Sequence, residues 1–173
     1  MNIATAKIEW MDALGEALRE RFGDQILSIE QHYDFPVVVV EKQSLPDVLS
    51  FLKDAPAMGF SFLTTLCGIH APEFTGKEFC VMYQLHDLPR NRRLRIKIFM
   101  PESDLDVPSV TGLWSTANWM ERQEYDFFGF NFVGHPDLRR ILNMDEMNYF
   151  PMRKQYPLED LSRHDKDDKM FGR

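Results

Sequence analysis

Ionisable side chains that could perform chemistry are concentrated between Asn118 and Leu142. Glu121, Glu124 and Asp126 supply three closely spaced carboxylates, and His135 follows within the same stretch. Carboxylates act as general acids and bases, and a histidine can bind a metal or relay a proton. A free-standing enzyme that uses Glu121, Glu124 and His135 is therefore one hypothesis. Their spacing matches no established metal or catalytic motif, and catalytic carboxylates usually converge from separate elements.

The same stretch also has a structural interpretation. Asn118 followed by Glu121 three residues later is a capping-box pattern, which predicts a helix start, and Gly129 is typical of a helix end. Arg122 and Asp126 lie one turn apart and are predicted to form an ion pair. Phe127 and Phe128 then supply the apolar anchor of this helix, and Glu121 and Tyr125 are a second pair of neighbours. This interpretation makes the charges helix-face ion pairs, and we favour it over catalysis.

Other chemical motifs are absent from the sequence. His135 lies in a Gly-His-Pro-Asp turn without a second histidine nearby, which favours a structural hydrogen bond. Cys67 and Cys80 form no C-x-x-C pair, which excludes four-cysteine iron–sulfur or zinc ligation within this sequence and favours small buried side chains. No dinucleotide fingerprint, P-loop or nucleophile elbow occurs. We therefore expect no cofactor, no metal and no catalytic residue in this chain.

Composition narrows the possible partners. The 173 residues are 44% hydrophobic and carry a net charge of −7, which predicts one domain with a real core. An acidic chain argues against nucleic acid and against an anionic membrane surface as the direct partner. A basic run over 90–97 lacks interleaved aromatic rings, which favours a solvated or partner-facing sheet surface. No apolar run suits a membrane span or a signal peptide, which predicts a cytosolic protein.

Hydrophobic periodicity predicts a two-layer α+β domain with the element order α-β-β-α-β-β-β-α and helices against one face of a mixed sheet. Ser44 to Asp47 is a second capping-box pattern. Helices are predicted over 5–22 and 44–53, from Pro108, and from Asn118. Strands are predicted over 25–31, 36–41, 60–69, 77–87 and 92–100, with an acidic loop over 101–108.

The C-terminal part has a different character. Residues 1–142 form the predicted α+β domain, and residues 143–173 have many charges without sustained periodicity. Apolar residues recur there at wide intervals, among them Met152, Tyr156 and Leu158. Such a segment suits either a frayed terminus or an extended arm that docks on a partner, and the residues alone leave both open.

Two motifs resemble a known family. Glu121-Arg122-Gln123, Asp126, Phe127-Phe128, His135, Arg139 and Ile141-Leu142 are similar to the signature of the C subunit (30 kDa subunit family) of the proton-pumping NADH:quinone oxidoreductase, respiratory complex I. Gln123 stands where the family usually has Glu, so an ion pair at that position is in doubt. The stretch from Pro151 to Asp160 resembles a second family motif, and both motifs occur in the family's order.

The resemblance implies the same α+β fold and an assembly role. The complex passes electrons from NADH through FMN and Fe–S clusters to quinone and couples this to proton translocation. The C subunit would bind none of these cofactors, would lie peripherally on the cytoplasmic side of the bacterial inner membrane, and would contact the membrane only through the complex. Its partners in the hetero-oligomer would chiefly be the D and B subunits, and a chain that stops at Arg173 would be the form not fused to D.

The resemblance also favours the docking arm and assigns partner binding to the signature residues. These are Glu121, Arg122, Glu124, Tyr125, Asp126, Phe128, Gly129, His135, Pro136, Arg139, Arg140, Arg153, Lys154, Tyr156, Pro157 and Leu158. Relatives of complex I share the signature, so the equivalent subunit of a membrane-bound NiFe hydrogenase or a ferredoxin-linked complex is an alternative.

Overall fold

The computed structural model describes residues 3–33 and 35–156, with side chains from Trp10 onward. Within this part the helices are α1 (Ile3–Phe22), α2 (Leu45–Asp54) and α3 (Ala117–Phe128). The strands are β1 (Ile26–His32), β2 (Phe35–Val40), β3 (Phe62–His70), β4 (Phe79–Asp87), β5 (Arg92–Met100), β6 (Asp106–Pro108) and β7 (Asn131–Val133). None of the described helices has the length and apolar character needed to cross a membrane.

Five strands form a mixed sheet in the order β1-β2-β5-β4-β3. The β3–β4 and β4–β5 pairs are antiparallel, and β1 and β2 form a third antiparallel pair. Strand β2 pairs with β5 in parallel and joins the two halves. Strands β6 and β7 form a small parallel pair, which places the segment after α3 beside the segment before it. The mixed-sheet α+β prediction is confirmed.

The core lies on one face of the sheet. Phe79, Val81, Tyr83 and Leu85 alternate along β4 and are fully buried, because a strand directs every second side chain to the same face. Helix α2 buries an apolar stripe against the core. Burial of each such aliphatic side chain contributes roughly 1.5–3 kcal/mol, which fixes α2 on the sheet more firmly than its helix propensity could.

Several local predictions are wrong. No helix begins at Pro108; residues 109–116 form turns, because the Ser109 amide donates to the Val133 carbonyl and Glu121 binds the Val110 amide. Neither capping box forms, since the hydroxyl of Ser44 donates to the Glu41 carbonyl and no side chain caps α3. The acidic loop over 101–108 also contains β6.

The predicted alternation of the first strand is wrong as well. A bulge between Ile26 and Ser28 interrupts the register of β1. Alternation over 25–31 places Leu27 and Ile29 on one face and Ser28 and Glu30 on the other, but Leu27 is 52% exposed, whereas Ile29 packs against the core. A bulge inserts an unpaired residue and so reverses the facing of the side chains that follow it.

The start of the predicted C-terminal arm lies on the domain. Residues 143–156 make hydrogen bonds with α3 and with the end of β3, as described below. Pro157, Leu158 and the rest of the arm fall outside the described residues.

Candidate functional site

Helix α3 carries the signature residues and has a buried polar side. Gly129 ends it with a φ of 83°, and the Gly129 amide donates to the carbonyl of Tyr125. This left-handed conformation favours glycine, and Phe150 fills the space that a Cβ would occupy, at 2.6 Å. Glu121, Arg122, Glu124 and Asp126 are all buried. Such burial is rare for charged residues unless each is paired or hydrogen-bonded.

Glu121 fixes the turn that precedes α3. One carboxylate oxygen accepts the backbone N–H of Val110 at 2.7 Å, and the other accepts the hydroxyl of Ser109 at 2.7 Å. Burial raises the pKa of Glu121, although these two donors act in the opposite direction. The side chain is fully buried, so this carboxylate organises the backbone around Pro108.

Glu124 joins α3 to the edge strand β3. Its Oε2 accepts the backbone N–H of Gly68 at 2.6 Å, and Oε1 accepts an amide N–H of Gln123 at 3.3 Å. Burial raises the pKa of Glu124 to about 7. An ideal Cβ on Gly68 would lie 2.6 Å from Phe130, so only glycine permits this close approach. The contact also satisfies one N–H on the outer edge of the sheet.

Asp126 binds the chain that returns after β7. Oδ1 accepts Arg140 Nη1 at 2.7 Å and Asn143 Nδ2 at 3.0 Å. Oδ2 accepts the successive backbone N–H groups of residues 141–143 at 3.2, 2.8 and 2.9 Å. Burial alone would raise the pKa of Asp126, but the Asn143 and Leu142 amides and Arg140 outweigh it and hold the pKa well below its usual range. This carboxylate occupies a nest of amides.

The predicted Arg122–Asp126 ion pair does not form. Arg122 donates to the backbone carbonyls of Arg139 at 3.1 Å and Arg140 at 3.2 Å. Its guanidinium carbon lies 5.1 Å from the centroid of the Trp119 ring. Asp126 is instead paired with Arg140, whose second nitrogen Nη2 donates to the carbonyls of Met147 and Tyr149. The helix-face prediction fails because the returning chain covers this side of α3 and supplies better partners than the neighbouring turn.

His135 makes the turn hydrogen bonds that the sequence favoured. Its Nδ1 accepts the backbone N–H of Asp137 at 3.0 Å, and its Nε2 lies 3.1 Å from the carbonyl of Asn118. A carbonyl accepts only, so Nε2 carries the proton and both ring nitrogens are engaged. Pro136 is exposed in the same turn. Arg139 is exposed and pairs with Asp137 on the surface, which contributes little to stability.

Residues 143–156 are fastened to the end of α3. Met152 donates its amide to the carbonyl of Phe127 at 3.2 Å. Arg153 donates to the carbonyl of Phe128 at 2.8 Å and pairs with Glu102 at 3.1 Å. Phe150 lies between the guanidinium groups of Arg153 and Arg140, with ring-centroid distances of 4.9 and 5.2 Å. These contacts hold the segment in one position on the domain.

The last contact of this segment reaches the sheet. The backbone N–H of Lys154 donates to Nδ1 of His70 at 2.9 Å. Burial and the nearby charge of Arg153 lower the pKa of His70, which keeps the ring neutral and able to accept. The Lys154 side chain is exposed. Tyr156 is 38% exposed, and its ring lies 4.9 Å from that of Tyr149. Tyr125 is half-buried and packs edge-on against Phe150.

The geometry separates the three carboxylates instead of joining them. Glu121 faces the turn before α3, Glu124 faces β3, and Asp126 faces residues 140–143. His135 is hydrogen-bonded to its own turn and to the carbonyl of Asn118, and it does not bridge Glu121 and Glu124. Among the described residues no group of three or more His, Cys, Asp and Glu side chains could hold a metal ion. The arrangement fixes backbone segments of the chain around α3.

Sequence reasoning missed several of the partner residues. Gly68 lies inside a predicted strand, where glycine indicates close approach of another segment, and this signal could have pointed to its contact. Ser109 follows a proline and invited a helix interpretation. Asn143, His70 and Phe150 carry no local signal, because their roles depend on contacts between residues far apart in the chain.

These features define a class of protein: a two-layer α+β domain in which buried charges of one helix hold other segments of the same chain in place. A sequence profile for the family described as "Respiratory-chain NADH dehydrogenase, 30 Kd subunit" matches residues 38–162. The C 2 subunit of the NADH-quinone oxidoreductase of Rhizobium etli is 43% identical over 142 residues, which are 82% of this chain and 74% of that protein. The chain belongs to the family of the 30 kDa subunit of respiratory-chain NADH dehydrogenase.

Further relatives agree with this assignment. The C subunit of the NADH-quinone oxidoreductase of Mycolicibacterium smegmatis is 38% identical over 149 residues, which are 86% of this chain and 63% of that protein. The trypsin-resistant fragment of Nqo5 has 34% identity and a TM-score of 0.62, with 72% of this chain and 98% of the fragment covered. A membrane-bound sulfane sulfur reductase structure matches 90% of this chain and 95% of its own with a TM-score of 0.71, but at 20% identity this shows the fold alone.

Proposed function

We propose that the chain is a non-catalytic assembly subunit in the peripheral arm of an NADH:quinone oxidoreductase. It docks chiefly on the D and B subunits and holds them in register within the quinone-reducing module. FMN, the Fe–S clusters and quinone are bound by other subunits, and electron transfer is coupled there to proton translocation. The chain lies on the cytoplasmic side of the bacterial inner membrane and reaches the membrane only through the complex.

The buried charges of α3 support a non-catalytic role. A general acid or base must reach the atom with which it exchanges a proton. Glu121 and Glu124 are 0% and 2% exposed, and each accepts hydrogen bonds from its own chain. His135 uses both ring nitrogens in the same way. These contacts disfavour a free-standing enzyme built on the three residues.

The observation that carries the proposal is the exposed apolar surface of residues 142–156. Large apolar side chains are exposed here although the backbone is fastened to the domain. A rigid segment with exposed methionine and tyrosine side chains is typical of a protein–protein interface, since it loses little conformational entropy on binding. The exposed side chains are Leu142 (62%), Met144 (69%), Tyr149 (39%), Met152 (48%) and Tyr156 (38%).

The relatives support NADH as the electron donor. Proteins named as C subunits of NADH-quinone oxidoreductases share 38–43% identity with this chain, whereas the sulfane sulfur reductase structure shares 20%. The alternative of a NiFe hydrogenase or ferredoxin-linked complex predicts different neighbouring genes. Genes for the NADH-binding flavin subunit beside this one favour complex I, and hydrogenase maturation genes favour the alternative.

Co-purification tests the proposal. The tagged chain is co-expressed with the D and B homologues of its own organism. A double variant that carries Met144→Asp and Met152→Asp is compared with the control variant Leu88→Asp. Leu88 is 55% exposed just beyond β4. That end of β4 lies roughly 25 Å from Phe79, which borders residues 143–156, because a strand rises about 3.3 Å per residue.

We expect D and B to co-purify with the wild type and the Leu88→Asp control. The double aspartate variant should bind at least about tenfold more weakly, because charges replace apolar contacts in the interface. A monodisperse wild-type monomer that leaves D and B unbound would contradict the proposal, as would equal binding by both variants.

A further inference from the structure

Arg122 lacks a counter-charge among the residues that the structure describes. Arg122 is only 7% exposed. Nε and Nη2 donate to the carbonyls of Arg139 and Arg140, and Nη1 donates to no acceptor within the described part of the chain. The three carboxylates of the same helix are engaged by Ser109 and Val110, by Gly68, and by Arg140 with residues 141–143.

Other well-buried arginines in the described part of the chain do have carboxylate partners. Arg92, Arg140 and Arg153 have side chains that are 15%, 9% and 13% exposed, and each pairs with a carboxylate at 2.6, 2.7 and 3.1 Å. A buried guanidinium needs such compensation because the transfer of a charge out of water is costly. Two carbonyl dipoles offset part of this cost for Arg122. One donor group of Arg122 therefore remains available for a carboxylate.

Trp119 marks the side from which that carboxylate would arrive. It lies one turn before Arg122 on α3 and is 64% exposed, and its ring lies 5.1 Å from the guanidinium carbon. Tryptophan and arginine are the residue types most enriched among interface hot spots. The indole ring offers apolar area beside a cation that has no anionic partner in the described part of the chain.

We propose that Trp119 and Arg122 form a receiving site for an acidic segment of a neighbouring subunit. A carboxylate of that segment pairs with Nη1 of Arg122, and an apolar group next to it covers the Trp119 ring. The occupant follows from charge complementarity, since the site presents a buried cation that has no carboxylate partner among the described residues. This inference rests on the proposed assembly function and assigns it a second contact, separate from residues 142–156.

Photo-crosslinking in the full complex locates the occupant. Trp119 is replaced by p-benzoylphenylalanine in the chain co-expressed with the D and B homologues. The matched control carries the same replacement at Tyr33, which is 95% exposed in the β1–β2 turn at the opposite edge of the sheet from α3. We expect the Trp119 position to form a crosslink to a peptide of a neighbouring subunit that contains Asp or Glu, and the Tyr33 position to form no crosslink to that peptide.

The outcomes separate this inference from the proposed function. A crosslink within residues 157–173 of the same chain would overturn the inference, because the carboxylates of that segment would then be the occupant. A complex that co-purifies intact without a crosslink at Trp119 would overturn it as well. Failure of D and B to co-purify at all would contradict the proposed function itself, and the inference with it.

A double-mutant cycle separates pairing from a role in the fold, since Arg122 also holds the backbone at 139–140. The crosslinked acidic residue of the partner is changed to its amide, in the wild-type and in the Arg122→Gln background. We expect the change in the partner subunit to lower its affinity for the wild-type chain about tenfold, and its affinity for the Arg122→Gln chain less than about twofold. An equal loss of affinity in both backgrounds would show that Arg122 binds only its own chain, and it would refute the pairing.

Discussion

Replacement of Asp126 by Asn probes the contact that holds the returning chain on α3. The substitution keeps the size of the side chain but removes its charge and places an NH₂ group among donors. Arg140, with a side chain 9% exposed, then loses its carboxylate, and the amides of residues 141–143 lose one acceptor oxygen. Loss of one partner from a buried ion pair costs about 3–5 kcal/mol, and we expect the free energy of unfolding to fall by this amount.

Equilibrium unfolding in urea, followed by tryptophan fluorescence, measures the difference. Asp137→Asn is the matched control, because Asp137 pairs with Arg139 on the surface, where the side chains are 53% and 70% exposed. Exposed pairs contribute about 0–1 kcal/mol, so the control should unfold close to the wild type. A loss below about 1 kcal/mol for Asp126→Asn would refute the argument that this carboxylate organises the segment.

The pH dependence gives a second measure of the same contact. The pKa of Asp126 is depressed in the folded state, so the folded protein binds its proton more weakly than the unfolded chain does. The stability that Asp126 contributes is therefore present above the unfolded pKa of about 3.9 and is lost as pH falls towards the folded pKa. The difference between wild type and Asp126→Asn should thus be constant near neutrality and shrink below about pH 4.

Three further substitutions test neighbouring contacts by the same unfolding measurement. Burial raises the pKa of Glu124 to about 7, so the stability that Glu124 contributes is complete below its unfolded pKa and is lost as pH rises through about 7. Glu124→Gln should remove this loss of stability, and a pH profile equal to that of the wild type would contradict the argument. Gly68→Ala should destabilise the protein by about 1–3 kcal/mol, because the new Cβ would lie 2.6 Å from Phe130. Gly112→Ala is the control, because a Cβ there would meet nothing within 4 Å. Equal losses of stability for the two variants would count against the clash at Gly68. Tyr83→Phe should be neutral or stabilising, because the buried Tyr83 hydroxyl has no hydrogen-bond partner among the described residues. A loss above about 1 kcal/mol would contradict this.

Periodicity predicted the elements that build the sheet and its core. Alternation along β4 and β5 is strong because one face is buried and the other carries charges such as Arg93 and Lys97. The stripe of α2 is equally clear, since each of its four buried residues follows helical spacing. Such patterns depend on local geometry, which the sequence expresses directly.

The partners of the polar side chains could not be predicted in this way. Local rules pair Arg122 with Asp126, but the folded chain offers Asp126 a row of amides from 141–143. Glu124 meets Gly68, which lies 56 residues earlier. Each choice depends on which distant segment covers α3, and neither charge nor spacing within the helix contains that information.

The roles of Arg153 and Lys154 show the same limit. A charged segment with spaced apolar residues leaves a frayed terminus and a docking arm both open, and the family resemblance favours the arm and assigns both residues to partner binding. In the structure the Arg153 side chain binds Phe128 and Glu102, and the Lys154 backbone binds His70, so these contacts stay within the chain. Partner binding by the segment remains a prediction and now depends on its exposed apolar side chains.

Turnover per assembled complex tests most directly whether the signature residues organise structure or perform chemistry. His135→Ala is introduced into the chain in its native complex, and NADH:quinone turnover is normalised to the FMN content of the purified complex. We expect the amount of intact complex to fall, because the contacts of His135 with Asn118 and Asp137 are lost, while turnover per FMN stays near the wild-type value. A full amount of complex with abolished turnover would contradict a structural role for this histidine.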